Sequence, residues 1–356
     1  MKIAFICQVV DESEPGMAST MTWLRTMANK QEVESIFVIA LRTGQFDLPD
    51  NVEVHAVEGR SRISRLRSFY ARVFQALRCH IECFFVYQSG PYPVLLLPIK
   101  LVTGKGIFQW RAHAYVSRLA RLNMRFCDNK VFTATAKSTP FDSPKIRVLG
   151  HGTDTKLFHN ISARKDGQLV TVGRISPVKR LDSMIETVAL LNQRNGQTVA
   201  LDLYGAPPAR DQDYLTFLER RVQTLRMGLH VFFRGAVEQV RLPEILNRYI
   251  LFLNYSDGAL DRAVLEAMAC GVPVVSTNPC VAEILPADLR RELIVPRDNV
   301  QAQAQQIAYI LSLQEEDRVS MGQHLRNIVM RDHNIDILVD KMLYEMANDP
   351  GPQAAG

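Results

Sequence analysis

Residues 251–276 read LFLNYSDGALDRAVLEAMACGVPVVS. The run 251–255 is apolar but for Asn254 and of strand length, as for a strand buried on both faces. Residues 256–261 form a turn of small and acidic residues, and 261–270 have helix composition. Gly271 ends that helix, and 272–276 are again strand-like. A strand, a covering helix and a second strand within this span make a parallel β-α-β unit. The same grammar holds upstream. Strands are predicted at 168–172, 199–204 and 231–234, the last two closed by Gly205 and Gly235. A helix is predicted over 181–193, with Leu181, Ile185, Val188 and Leu191 on one face.

The first half carries weaker signals of the same kind. Strands are predicted at 2–8, 36–40, 52–57, 84–87 and 130–133. A loop around 14–18 leads into a helical stretch ending near Asn29. A length of 356 residues allows about two domains. The expected division is residues 1–150, residues 151–335, a C-terminal helix at 336–348 packing back on the first domain, and a disordered tail at 349–356. The fold class is α/β, with parallel sheets covered on both faces.

Charge is uneven. Residues 1–150 hold 20 Lys+Arg against 12 Asp+Glu, and the remainder 22 against 25. The first half is therefore expected to meet the more anionic partner. The six cysteines include no Cys-x-x-Cys pair and lie mostly in apolar runs. They read as buried free thiols in a reducing cytoplasm, with no metal site. The start of the chain turns polar too soon for a signal peptide. The longest apolar patch, 94–102, is interrupted by Pro98 and Lys100 and is far shorter than the ~20 residues of a spanning helix.

Ligands of open parallel sheets bind beyond the carboxyl ends of the strands. Gly173-Arg174-Ile175-Ser176-Pro177-Val178-Lys179 lies there. Its Arg offers a fork and its Lys a point charge, a pair suited to a diphosphate; ordinary solvated charges are the plain alternative. The turn Ser256–Asp261 opens a helix, so its backbone N–H groups are expected to form an anion site. Glu266, among Ala, Met and Leu, needs partners: ribose hydroxyls, or a salt bridge to Arg262 or Arg174.

Together these segments resemble the retaining GT-B glycosyltransferases of glycosyltransferase family 4 (group 1 type). Residues 173–181 are similar to the family's Gly-Arg-x-x-x-x-Lys-Gly-x-x loop, and 265–275 to its Leu-Glu-Ala-Met-Ala-x-Gly-x-Pro-Val-Val run. The segment from His151 to Phe158 is similar to Asn-Gly-Val-Asp-x-x-x-Phe, and Gly205 and Gly235 fall at family loop glycines. The resemblance covers about 132–311 closely and the first half loosely. It implies a GT-B architecture of two Rossmann-like domains facing across a cleft, the first for the acceptor and the second for the nucleotide sugar. It implies no metal and no cofactor, with a UDP- or GDP-sugar donor as substrate.

By the same resemblance, Gly173, Arg174 and Lys179 hold the diphosphate, Glu266 the ribose, and Gly205 the nearby loop. The amides of Gly258, Ala259, Leu260 and Asp261 approach the sugar. Arg174 and Lys179 neutralise the leaving group, and His113 faces the transferred sugar. Gly16 keeps one of two glycines expected near the phosphates. One position departs: the family's Glu-x7-Glu pair needs a carboxylate at 258, where Gly258 stands in a Gly-Ala-Leu-Asp variant. Of the flanking Asp257 and Asp261, the latter opens the helix and is the better substitute. Asp211-Gln212-Asp213 looks like a metal-binding Asp-x-Asp, but acidic residues also favour helix starts.

The stretch Arg60–Arg78 sets Ile63, Leu66, Tyr70, Val73, Phe74 and Leu77 as an apolar stripe beside Arg62, Arg65, Arg67, Arg72 and Arg78. It is either a helix packed on its own sheet with arginines outward, or an interfacial helix touching anionic lipid. No recognition motif accompanies the charge, so nucleic acid is not expected. The function implied is hexosyl transfer to a glycan or lipid-linked acceptor in surface polysaccharide, lipopolysaccharide or glycolipid synthesis, in the cytoplasm or peripheral at the inner membrane face. A GT-B-fold epimerase and a non-catalytic nucleotide-sugar-binding protein are the competing readings. A Rossmann dehydrogenase lacks its Gly-x-Gly-x-x-Gly here.

Overall fold

The computed structural model describes residues 1–13, 18–88, 90–161, 167–194 and 198–349. The expected tail beyond Asp349, Gly16 and most of the 14–18 loop lie outside the described residues. The chain forms two compact units: Met1–Gly152 with the residues from Ile335 on, and Thr153–Asn334.

The first unit is built on β1 (Lys2–Val10), β2 (Ser35–Thr43), β3 (Val52–Ala56), β4 (Cys83–Tyr87), β5 (Gly106–Trp110), β6 (Lys130–Thr133) and β7 (Ile146–Val148). Their order is β3-β2-β1-β4-β5-β6-β7, all parallel. Parallel register keeps the two faces in step. Ala4 is level with Phe84, Phe84 with Ile107, Val86 with Gln109, and Gln109 with Val131. That face is covered by helix Arg62–Arg78 through Phe69, Val73 and Ala76, and by helix Tyr92–Thr103 through Leu96 and Ile99. Helix Arg118–Leu122 adds Ala120 over Val131. The opposite face presents Phe5, Phe85, Trp110 and Phe132, on which Trp23 of helix Ala18–Ala28 packs. The helix Ile335–Ala347 lies beside Ala18–Ala28.

The apolar stripe expected on Arg62–Arg78 is corrected. Phe69, Val73 and Ala76 take the core, whereas Ile63 and Phe74 stand 67% and 52% exposed. At 100° per residue the sheet selects Phe69, Val73 and Ala76 together, which leaves Ile63 and Phe74 on the flank. Of the six cysteines, Cys79 is exposed and the other five are buried. Among the described residues no helix is long and apolar enough to cross a membrane.

Asp128 is fully buried, and its carboxylate oxygens have no hydrogen-bond partner among the described residues. Burial pushes its carboxyl up to about 7, against the pull of Lys145, Lys100 and Arg111. Folded Asp128 thus binds its proton more tightly than unfolded Asp128. Stability falls as pH rises from the unfolded value through about 7, and the full penalty is present above it. Asp128→Asn is expected to raise the melting temperature at pH 8, by on the order of a few kcal/mol of stability. It should change little at pH 4. Calorimetric melts at the two pH values check this.

The second unit is smaller in sheet and more regular. Its strands are β8 (Gly167–Val172), β9 (Leu201–Tyr204), β10 (Val231–Gly235), β11 (Tyr249–Asn254) and β12 (Val274–Ser276). Their parallel order is β10-β9-β8-β11-β12. The chain winds outward from β8 in one direction and from β11 in the other. The winding direction thus reverses between β8 and β11, the place where open parallel sheets bind ligands beyond the carboxyl ends of their strands.

Candidate functional site

The loop after β8 continues the sheet sideways by backbone bonds. Gly173 N–H donates to Tyr204 O at 2.9 Å, Ile175 N–H to Ala206 O at 3.1 Å, and Gly205 N–H to Gly235 O at 2.7 Å. Three strand ends are thereby held at one level. Gly205 has φ +143°, and a Cβ there would stand 1.8 Å from the Gly173 carbonyl oxygen. The position requires glycine both for its φ and for this close approach.

A short 3-10 turn, Pro177–Lys179, follows and brings the Lys179 side chain back over Gly173. Arg174 stands exposed on the same loop. Gly173, Arg174, Lys179, Leu203 and Tyr204 line a common pocket. Arg180 leaves the loop on the other side, donating to Asp298 Oδ1 at 2.8 Å and Arg297 O at 3.2 Å.

The turn after β11 meets this loop directly. Asp257 N–H donates to Val178 O at 2.9 Å, and the Lys179 ammonium pairs with the Asp261 carboxylate. Two segments some eighty residues apart are thus joined at the strand reversal. Asp261 also accepts from Asn254 Nδ2 at 3.2 Å and caps its helix by accepting from Ala263 N–H at 3.4 Å. Burial raises its pKa, but Lys179, the Ala263 N–H and Arg262 outweigh burial and hold it below the ordinary carboxylate range. Asp257 pairs instead with Arg297 at 2.7 Å.

The turn is braced from beneath. Buried Asn278 donates through Nδ2 to Gly258 O and Ala259 O, each at 3.3 Å. Ser276 Oγ donates to Asn254 Oδ1 at 3.0 Å, and Leu260 is buried. One expectation is corrected: the Gly258 N–H is not open to an anion, because Ser256 Oγ accepts it at 3.3 Å. A short hydroxyl two residues back closes a small turn in this way. A Cβ at Gly258 would find Ser256 Oγ at 3.5 Å, an ordinary contact.

Glu266 sits buried on helix Arg262–Ala269. Gln239 Nε2 donates to its Oε1 at 3.5 Å. Burial holds its carboxyl above the usual range, with Arg262 opposing and Asp261 reinforcing the shift. Such a carboxylate is held ready for hydroxyl donors.

Asp213 lies in the first turn of helix Gln212–Thr224, with Asp211 ahead of it. His113 belongs to the first unit, exposed in the segment after β5, where its carbonyl accepts from Arg111 Nη2 at 3.3 Å. Sequence reasoning missed Asn254, Asn278, Arg180 and Arg297. Residues 296–299, Pro-Arg-Asp-Asn before a helix capped by Asn299, carried a usable signal, since they repeat the loop-to-helix pattern of 173–181.

Comparison with known proteins comes to three findings. Residues 153–327 match the family model described as glycosyl transferases group 1, a span that takes in nearly all of the second unit. No curated protein sequence matches the chain. Solved structures share the GT-B fold over the whole length. Anabaena HepE in complex with UDP and glucose has TM-score 0.76 at 16% identity, covering 98% of this chain and 100% of that one. Sucrose-phosphate synthase from Thermosynechococcus elongatus has 0.73 at 17%, covering 98% and 99%. An S. aureus TarM variant with UDP and alpha-GlcNAc-glycerol has 0.71 at 11%, covering 97% and 99%. The fold is thus α/β of GT-B type, with one parallel sheet in each unit.

Proposed function

We propose that the chain is a retaining glycosyltransferase of the family 4 kind, moving a hexose from a nucleotide-diphosphate sugar to a glycan or lipid-linked acceptor. The observation that carries the reading is the meeting of Lys179 and Asp261 at the β8–β11 reversal, within residues that match the group 1 model. UDP is the favoured nucleotide, because HepE and TarM were solved with it; GDP is the second choice.

In this reading Gly173, Arg174 and Lys179 take the diphosphate, and Gly205 keeps their loop level. Glu266 accepts from the ribose hydroxyls. Asp261 supplies the carboxylate nearest the sugar, and Asp257, Gly258, Ala259 and Leu260 shape the turn against it. An acceptor hydroxyl oxygen bonds to the anomeric carbon as the bond to the diphosphate breaks, and the hydroxyl proton passes to the departing diphosphate oxygen. Arg174 and Lys179 then stabilise the charge gained by the leaving diphosphate, and stabilisation of this kind is usually the largest catalytic contribution. By the family pattern, His113 is the residue that would donate to a hydroxyl of the transferred sugar. Turnover is metal-independent and is expected to persist in EDTA. The product belongs to surface polysaccharide or glycolipid synthesis at the inner membrane face, where the Arg60–Arg78 helix touches lipid.

Release of nucleoside diphosphate from UDP- and GDP-sugars, with a panel of glycan and polyprenyl-linked acceptors, tests the reading. Donor binding without release across the panel would favour the non-catalytic alternative, and recovery of an epimerised nucleotide sugar the epimerase. Gly258→Glu adds the carboxylate that the family pattern places there. Because a Cβ fits, its melting temperature should stay within a few degrees of wild type while its ranking of donor sugars changes. A melt and a donor panel read both.

A further inference from the structure

We infer that the helical layer over one face of the first unit's sheet, and not the Arg60–Arg78 helix alone, is a docking surface for an anionic lipid bilayer, with the exposed side chains of Tyr115–Phe126 entering the lipid. The charge pattern is the first observation. Residues 59–127 contain twelve Lys+Arg and a single acidic residue, Glu82. The helices Arg62–Arg78, Tyr92–Thr103 and Arg118–Leu122 contain no acidic residue at all. Helix Ile335–Ala347, beside the sheet's other face, carries Asp336, Asp340 and Glu345.

The second observation is apolar exposure on that same layer. Phe126 is 60% exposed, Leu122 41%, Leu101 76% and Val102 87%, in addition to Ile63 and Phe74. The three helices are neighbours. Tyr70 Oη donates to Leu95 O at 2.9 Å, and Lys100 Nζ donates to Cys127 O at 2.9 Å. The exposed side chains therefore stand on one layer of adjacent helices and are not scattered over the unit. Arg118, Arg121 and Arg125 are exposed among them, and the Arg125 guanidinium lies 5.6 Å from the Phe126 ring centroid. Cations interleaved with large apolar side chains suit the boundary between anionic headgroups and acyl chains. A nucleic acid would use the charge and leave the aliphatic residues in water.

The inference rests on the proposed function only for the reason to dock, a lipid-borne acceptor. Its test uses no donor, so the two fail separately. Full-length protein is sedimented with vesicles of phosphatidylcholine alone or mixed with one third phosphatidylglycerol. Binding to the anionic vesicles and not to the neutral ones is expected. Each arginine near an anionic surface strengthens binding about fivefold. The variant Arg118→Gln/Arg121→Gln/Arg125→Gln should therefore lose about a hundredfold, and Leu122→Ser/Phe126→Ser at least tenfold. All five side chains are exposed, so the melts of both variants should match wild type. Equal binding to both vesicles, no vesicle binding, RNA binding in its place, or full binding by either variant would each overturn the inference.

Discussion

The double variant Lys179→Ala/Asp261→Asn is expected to stay folded and to lower nucleoside-diphosphate release by about 10²–10³-fold, the usual effect of removing one donor to a developing oxyanion. The second substitution is needed for a physical reason. Asp261, its side chain 15% exposed, is held ionised by Lys179. Lys179→Ala alone strands that carboxylate, and breaking a buried pair costs about 3–5 kcal/mol. Its lost activity could then be lost folding. Asparagine at 261 removes the charge while still capping the helix at Ala263 N–H, a role asparagine fills well. The double variant should melt near wild type with its turnover lowered to that extent. Wild-type turnover in the double variant would remove Lys179 from the chemistry. The single variant should become less unstable below the ordinary carboxylate pKa, where the stranded group takes a proton.

Gly205→Ala is expected to cause the largest loss of stability of any single change at the site. The new Cβ meets the Gly173 carbonyl oxygen at 1.8 Å in a backbone of φ +143°. Backbone relief is blocked, because Gly205 N–H is bonded to Gly235 O and Gly173 N–H to Tyr204 O. Strained φ costs about 1–3 kcal/mol and overpacking about 1–3 more. A domain of this length loses roughly 2–4 °C per kcal/mol, so a fall of about 10 °C in the melt of the second unit is expected. Gly258→Ala is the control: it meets only Ser256 Oγ at 3.5 Å and should leave the melt nearly unchanged. Similar melts for the two variants would contradict the loop geometry.

The second unit was legible in sequence because its strands are short apolar runs set between glycine-closed turns and amphipathic helices. Each expected strand there is present, within two residues of its predicted ends. The first unit was less so. β5 follows an apolar helix after only Gly104 and Lys105, so hydropathy shows one segment where the chain makes two elements. β7 is three residues long and only half-buried, too short to show a period. At the site, residue types gave Arg174, Lys179 and Glu266 from their own chemistry. The pairing of Lys179 with Asp261 was not legible, since it depends on two loops converging at the β8–β11 reversal. Asn254 and Asn278 read as ordinary strand-end and turn residues, and only the turn they brace shows what they do.

The central claim is that the loops after β8 and β11 bind a nucleotide sugar. Thermal shift across UDP-, GDP- and ADP-sugars tests it without any acceptor. At a hundredfold excess over its dissociation constant, the true donor should stabilise the protein by about 2.7 kcal/mol. The shift should shrink sharply in Arg174→Ala, whose exposed side chain leaves the unliganded melt unchanged. No shift with any of these donors, or the same shift in Arg174→Ala and Glu266→Gln as in wild type, would contradict the account.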